Sequence, residues 1–420
     1  MHAPEPARSH AWKPTPLAVL GGAPAFAEPL HVGRPNVPDR AKLLERVAGA
    51  LDRRWFTNDG PLVQEFEAAL VRQLQVKHVV AMCNGTTALE IAVRALGLNG
   101  EVVVPSFTFV ATAHALQWQE IAPVFADIEP ATHLLDPAQV ERLITPRTTG
   151  IIGVHTWGRP CDVEALQEIA DRRGLTLLFD AAHAMGSTYG GAPIGRFGAA
   201  EVFSFHATKC VHSFEGGAVA TNNDVLAEKL RLMRNFGFAG YDRVVYLGIN
   251  GKLSEIHAAM GLTSLEDLPR VAAHNRRNLE LYRRELAGLS GLRLLDYYDA
   301  AGESRNYQYV VVECDAAVSP LARDELLAVL TAENVRARRY FYPGCHRMEP
   351  YRSLLPDASQ RLPVTEAIAA KVLLLPTGPT IGEKEILAIC GILHRAAAES
   401  VAVRGALPPP AGNEPTGRIL

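Results

Sequence analysis

The chain has no Cys-x-x-Cys pair, no Gly-x-Gly-x-x-Gly turn and no Gly-x4-Gly-Lys-Ser/Thr loop. The first absence removes zinc ribbons and disulfide frameworks, the second a dinucleotide fingerprint, the third a P-loop. Its cysteines, Cys83, Cys161, Cys210, Cys314, Cys345 and Cys390, are scattered along 420 residues. Reduced thiols and a cytoplasmic location are the expectation. Charge of one sign is also missing. The net charge of -3 points to no nucleic acid and no anionic membrane. No uninterrupted apolar run reaches the roughly 20 residues that span a bilayer. The segment "PLAVLGGAPAFA" is broken by Pro16, Gly21, Gly22 and Pro24, so it is not read as a secretory signal.

What is present is 48% apolar and 21% charged sequence, the balance of a globular protein. A chain of 420 residues calls for a large domain and a second one. Residues 1–16 read as a flexible tail, and residues 401–420, ending "GALPPPAGNEPTGRIL", as a disordered one. Between them the pattern alternates. "VKHVVAMC", "EVVVPS", "APVFADI", "TTGIIGVH" and "LTLLFDAA" read as strands. "TTALEIAVRALG", "FVATAHALQWQ", "PAQVERLI" and "DVEALQEIADRRG" read as the helices between them. Short apolar strands alternating with amphipathic helices predict an α/β domain with a mostly parallel sheet covered on both faces. We place it at 17–268. Helical text, the strand "YQYVVVEC" and a last helix from Ile381 to Ala398 predict a smaller α+β domain over 269–400.

Ligands of open α/β sheets gather at the carboxyl ends of the strands. Three such ends carry chemistry. At "CNGTTALE" the first N–H groups of a helix, at Gly85, Thr86 and Thr87, form either a phosphate-sized anion cradle or an ordinary capped turn. At "LLFDAAHAMGSTYGG" the apolar strand ends in Asp180, with His183 three residues on. A buried carboxylate there needs a cationic partner, unless it only caps a helix. At "FSFHATKCVHSFEGG" Ser204 and Lys209 follow another strand. Alone, Lys209 reads as a loop lysine with its head in water. The spacing of His206, Cys210 and His212 fits no common zinc pattern, so no metal is expected.

Together, an anion cradle, a carboxylate, a ring-sized histidine and a single lysine describe a pyridoxal 5'-phosphate site. Lys209 would form a Schiff base with the cofactor aldehyde, so no buried ammonium is left over. Asp180 would keep the pyridine nitrogen protonated. Gly85, Thr86 and Ser204 would take the phosphate.

The motifs "NGTTAL", "VPSFTFVATAHA", "PVFADIEP", "ITPRTTGIIGVH", "DAAHA", "FGAAEVFSFHATK", "EGGAV" and "GINGKLSEIHAAMGL" follow one another in the order of the DegT-type sugar aminotransferases. The chain resembles that family over residues 17–400. The resemblance implies fold type I of the pyridoxal phosphate enzymes and a homodimer with shared active sites. It implies Lys209 as the Schiff-base lysine; relatives with histidine there dehydrate instead of transaminating. It implies Asp180 at the pyridinium and His183 near the ring. Phe107 would lie over the cofactor, and Asn250 would reach the phosphate of the neighbouring subunit. Lys252 stands where arginine is commoner. Arg339 replaces a common histidine beside Tyr340. Arg234, Lys252 and Arg339 are candidates to face a substrate diphosphate. The implied partners are L-glutamate and a nucleotide-linked keto sugar. The implied reaction is ping-pong amination of dTDP-4-keto-6-deoxy-D-glucose at C-4. The alternatives are amination at C-3, a cyclitol or aromatic precursor as acceptor, and an inactive regulatory homologue.

Overall fold

A computed structural model describes residues 16–297 and 302–408. Seven strands form the central sheet: β1 (His78–Met82), β2 (Glu101–Pro105), β3 (Ala122–Ala126), β4 (Thr148–Val154), β5 (Thr176–Asp180), β6 (Ala200–Ser204) and β7 (Gly217–Thr221). Their order across the sheet is β1-β7-β6-β5-β4-β2-β3. Only β7 runs antiparallel to its neighbours. Every residue of β2 and of β7 is buried. That is why these strands read as continuous apolar runs rather than alternating ones.

The helices between the strands start and stop where their caps dictate. Asn84 accepts from the Thr87 N–H at 2.8 Å and opens the helix Gly85–Ala95. Asp162 accepts from the Ala165 N–H at 3.0 Å and opens Val163–Arg173, which Gly174 closes in the left-handed region. The strand β6 ends at Ser204, where the chain turns into the lysine loop.

The C-terminal unit holds a three-stranded antiparallel sheet, β8 (Leu292–Leu294), β9 (Val310–Cys314) and β10 (Val372–Leu375). The helices Leu268–Glu285, Arg323–Ala332 and Glu383–Ala398 share an apolar core with it. Two boundaries differ from the sequence reading. Residues 17–31 do not join the large domain. Leu17 is fully buried in the C-terminal core, and Leu30–His31 pairs in parallel with Val335–Arg336. The Glu333 carboxylate fixes this segment by accepting from the Ala18 and Ala25 N–H groups, both at 2.7 Å. At the other end Ser400–Ala406 is a helix with Val403 buried in that core. Of the tails read from sequence at 1–16 and 401–420, residues 1–15 and 409–420 lie outside the described residues. Among the described residues no single helix is long and apolar enough to cross a membrane.

Candidate active site

The carboxyl ends of β1, β2, β5 and β6 face one edge of the sheet, and antiparallel β7 starts there. Gly217 pairs with both Met82 and Ser204. This register brings the helix start at Gly85 against Ser204. A Cβ on Gly85 would sit 2.9 Å from the Ser204 Cβ. One on Gly217 would sit 2.5 Å from the Asn84 backbone. The paired glycine at 217 therefore lets β7 pass under the helix N-terminus. The Gly85 and Thr86 N–H groups have no carbonyl four residues back to bond within the helix. They are free for an anion, with the helix dipole behind them and the Ser204 hydroxyl beside them.

Asp180 ends β5 and is 6% exposed. Its carboxylate accepts from the Ala182 N–H at 3.0 Å and the Thr112 hydroxyl at 2.8 Å. Burial pushes its pKa above the usual carboxylate range, while these two donors and the Lys209 charge oppose that rise. Lys209 is half-buried. Burial pulls its amine down to about 8, against the pull of Asp180. Its Nζ is 3.4 Å from the Tyr309 hydroxyl, a long contact. Burial pushes that phenol well above its usual pKa, so it stays protonated. His183 is held well below the usual histidine range, first by burial and then by the Lys209 charge. The neutral ring accepts from the Trp157 N–H at Nδ1, 3.3 Å away, which leaves its proton on Nε2.

An aromatic wall closes the site. His183 lies 4.6 Å from Tyr309 and parallel to Phe341. Trp157, fully buried and with φ of 64°, stacks on Phe341 at 5.0 Å. Phe107 is a fully buried core residue edge-on to His133, Trp157 and Phe341. It is the backing of the wall, not the ring over the cofactor. The aromatic left available at the end of β2 is Phe109, which is 59% exposed. It lies three residues before Thr112, the Asp180 partner. Residues two apart share a face in a strand, but β2 ends at Pro105, and the bend over residues 106–108 is what sends the two phenylalanines to different surroundings.

The C-terminal unit clamps the same loops. Gln308 accepts from the Cys210 N–H and donates to the Thr208 carbonyl. Asn306 donates to the carbonyls of His183 and Met185. Sequence gave no local sign of Asn306, Gln308 or Tyr309, which lie about a hundred residues beyond the lysine. His206, Cys210 and His212 go to separate partners. Among the described residues no three His, Cys, Asp or Glu side chains gather to hold a metal.

Residues 38–394 match the model of the DegT/DnrJ/EryC1/StrS aminotransferase family. The chain belongs to that family. It is similar to a dTDP-4-amino-4,6-dideoxy-D-glucose transaminase of Shigella dysenteriae, 38% identical over 83% of this chain and 94% of the relative. It superposes on a solved structure of DesI in the presence of its TDP-sugar product, with a TM-score of 0.87. That pair is 48% identical over 93% of this chain and 98% of the other. A 3-amino-5-hydroxybenzoic acid synthase superposes at a TM-score of 0.80 with 26% identity, over 88% of this chain and 100% of that one.

The cations proposed for a substrate of this aminotransferase are not equally available. Arg234 is buried and spent. It pairs with Glu67, with Asp59 at 2.8 Å, and donates to the Ala81 carbonyl at 2.9 Å. It is a structural tie between β1 and the helix Pro61–Leu74, not a diphosphate ligand. Arg339 is held by Asp324 at 3.2 Å and by the Tyr342 ring. Lys252 bridges to Met82 at the end of β1, donates to Asn235 at 3.1 Å and lies over the Phe236 ring. Tyr340 stacks on Phe341 at 5.4 Å, next to the wall. Asn250 is exposed and bridges to Asn235. We expect Arg234→Met to lower unfolding stability by about 2 kcal/mol, because it takes the buried cation away from the half-buried Glu67 carboxylate. Urea unfolding measures the loss, and the KM for the sugar nucleotide should stay at the wild-type value. A raised KM in a stably folded variant would return Arg234 to the substrate site.

Proposed function

We propose that this aminotransferase uses pyridoxal 5'-phosphate to move an amino group from L-glutamate to C-4 of dTDP-4-keto-6-deoxy-D-glucose. The product is dTDP-4-amino-4,6-dideoxy-D-glucose. The observation that carries the chemistry is the meeting of a lysine with a depressed amine pKa, a buried carboxylate and a free helix N-terminus along one sheet edge. The substrate rests on the Shigella relative and on DesI with its TDP-sugar product.

The cofactor, when bound, supplies an aldehyde and a ring that draws electrons from the reacting carbon. The chain's residues supply the rest. Gly85, Thr86 and Ser204 hold a phosphate. Asp180, kept in place by Thr112 and Ala182, presents negative charge where a protonated ring nitrogen needs it. Lys209 would hold the aldehyde carbon of the cofactor and, in each half of the exchange, its Nζ would carry the proton to or from the reacting carbon. With a pKa of about 8, roughly a tenth of its amines are neutral at pH 7 and able to take a proton. Phe109, His183 and the aromatic wall exclude water from the ring.

The test supplies purified protein, glutamate and the keto sugar, and locates the new C–N bond by NMR. Amination at C-3 after adding a 3,4-ketoisomerase, with none in its absence, overturns the C-4 assignment.

The reading includes a homodimer with shared sites. The segment leading to Asn250 exposes Phe236, Phe238, Tyr241, Val244 and Leu247, the last at 72% and Tyr241 fully. A single chain gains nothing by wetting such a patch, whereas a partner subunit covers it. Mixed Lys209→Ala and Asn250→Ala subunits should then recover activity. Half the dimers are hybrids and half of their sites are intact, so about a quarter of wild-type activity returns. No recovery, or a fully active monomer in sedimentation, refutes sharing.

A further inference from the structure

We propose that Arg34 anchors a carboxylate of the amino donor in the Lys209 cleft, and so selects an acidic amino acid. The inference rests on the aminotransferase reading and adds the residue that recognises the donor. Three observations place Arg34. Gly33, Arg34, Asn36, Lys209, Asn275 and Gln308 line one cleft. The chain on both sides of Arg34 is pinned to the lysine loop. Gly33 has a φ of +74°, and a Cβ on it would lie 3.2 Å from the Thr208 Cβ. Asn36 donates to the Cys210 carbonyl at 2.9 Å and accepts from His212 at 2.9 Å. Arg34 sits between these ties and shares the cleft with Lys209.

Its charge is uncommitted. Arg34 is exposed and, among the described residues, makes no ion pair or hydrogen bond. No aspartate or glutamate lines the cleft. With no acid in the lining, an anion that enters this cleft meets the guanidinium fork without a competitor. The other cations near the site are engaged: Arg234 with two carboxylates, Arg339 with Asp324, Lys252 with Asn235. Asn275 adds a buried amide oxygen without a protein partner, so this wall suits a polar ligand rather than an apolar one. Both partners of the reaction carry anionic groups. Both react at the lysine, but the carboxylates of glutamate are two and four bonds from its reacting nitrogen, whereas the first phosphorus of the sugar diphosphate is five bonds from C-4, so the anion that shares the lysine cleft with Arg34 is the donor's.

The experiment separates the two halves of the exchange. With glutamate alone, one turnover releases 2-oxoglutarate. With the amino sugar alone, one turnover releases the keto sugar. Glutarate, an unreactive dicarboxylate, is titrated calorimetrically as a binding readout independent of turnover. Arg34→Ala should weaken glutarate binding and slow the glutamate half about 10- to 100-fold, the worth of hydrogen bonds to a charged group. The amino-sugar half should stay at the wild-type rate, and Arg34→Lys should recover part of the loss. Thermal unfolding should not move, since the side chain has no partner to lose. Wild-type glutamate turnover with an unchanged Arg34→Ala donor half overturns the inference alone. Equal losses in both halves overturn it too, and assign Arg34 to the diphosphate. A wild-type protein that neither turns over glutamate nor binds glutarate removes the donor reading and this inference with it.

Discussion

Lys209→Ala abolishes amino transfer, with a fall of about 10³-fold or more in turnover. The side chain serves twice in the proposed reaction, as the holder of the aldehyde and as the carrier of the proton, and a positioned proton carrier alone contributes roughly 10²- to 10⁴-fold. The assignment has a readout apart from rate. Borohydride reduction of the protein with pyridoxal phosphate, followed by peptide mapping, should place the pyridoxyl group on Lys209. Label on another lysine sinks it. The pH dependence has a definite sign. Only the neutral amine attacks an aldehyde, and burial sets its pKa at about 8. Capture of pyridoxal phosphate by the protein should therefore speed up as pH rises towards 8 and level off above it. An exposed lysine would keep accelerating to about pH 10. A capture rate still climbing between pH 9 and 10 would mean that the amine is not desolvated.

Asp180→Asn lowers kcat by about 10²- to 10³-fold, the usual loss when a preorganised charge is removed from a dry site. Asparagine matches the shape: its Oδ1 can still accept from the Ala182 N–H and its Nδ2 can donate to the Thr112 hydroxyl oxygen, so folding should be spared and the charge alone tested. Thr112→Val removes one of the two donors that hold the carboxylate and should cost less. Burial raises the Asp180 pKa, so the acid limb of its contribution should begin above the range of an ordinary aspartate. As pH falls through that raised value the carboxylate is protonated, and its hold on a protonated ring nitrogen is lost. Steady-state kinetics against pH for the wild type and Asp180→Asn provide the comparison. The acid limb should be present in the first and missing from the second. A variant that keeps near wild-type kcat would show that Asp180 is only the cap of its loop.

The alternation of strands and helices was legible because each element's apolar period is local, and caps such as Asn84 and Asp162 act within three residues. The positions of Gly85, Asp180, Ser204 and Lys209 were legible for a related reason. A parallel sheet carries its chemistry at strand ends, and strand ends can be read along the chain. Everything that depended on a partner far away in sequence was not. Arg234 looked like a free cation until Glu67 and Asp59 were brought to it. Phe107 and Phe109 differ by two residues in the text and by full burial against open exposure in space. Tyr309, Gln308 and Asn306 reach the lysine loop only because the C-terminal unit packs on the sheet edge. Leu17 and Arg34 lie near the start of the chain, yet one is buried in the C-terminal core and the other faces the lysine cleft. Local sequence determines which residues can form a helix, a strand or a turn, since those choices are made within a few bonds. Which charges are neutralised, which rings are buried and which amine is desolvated is decided by neighbours that only the folded chain supplies.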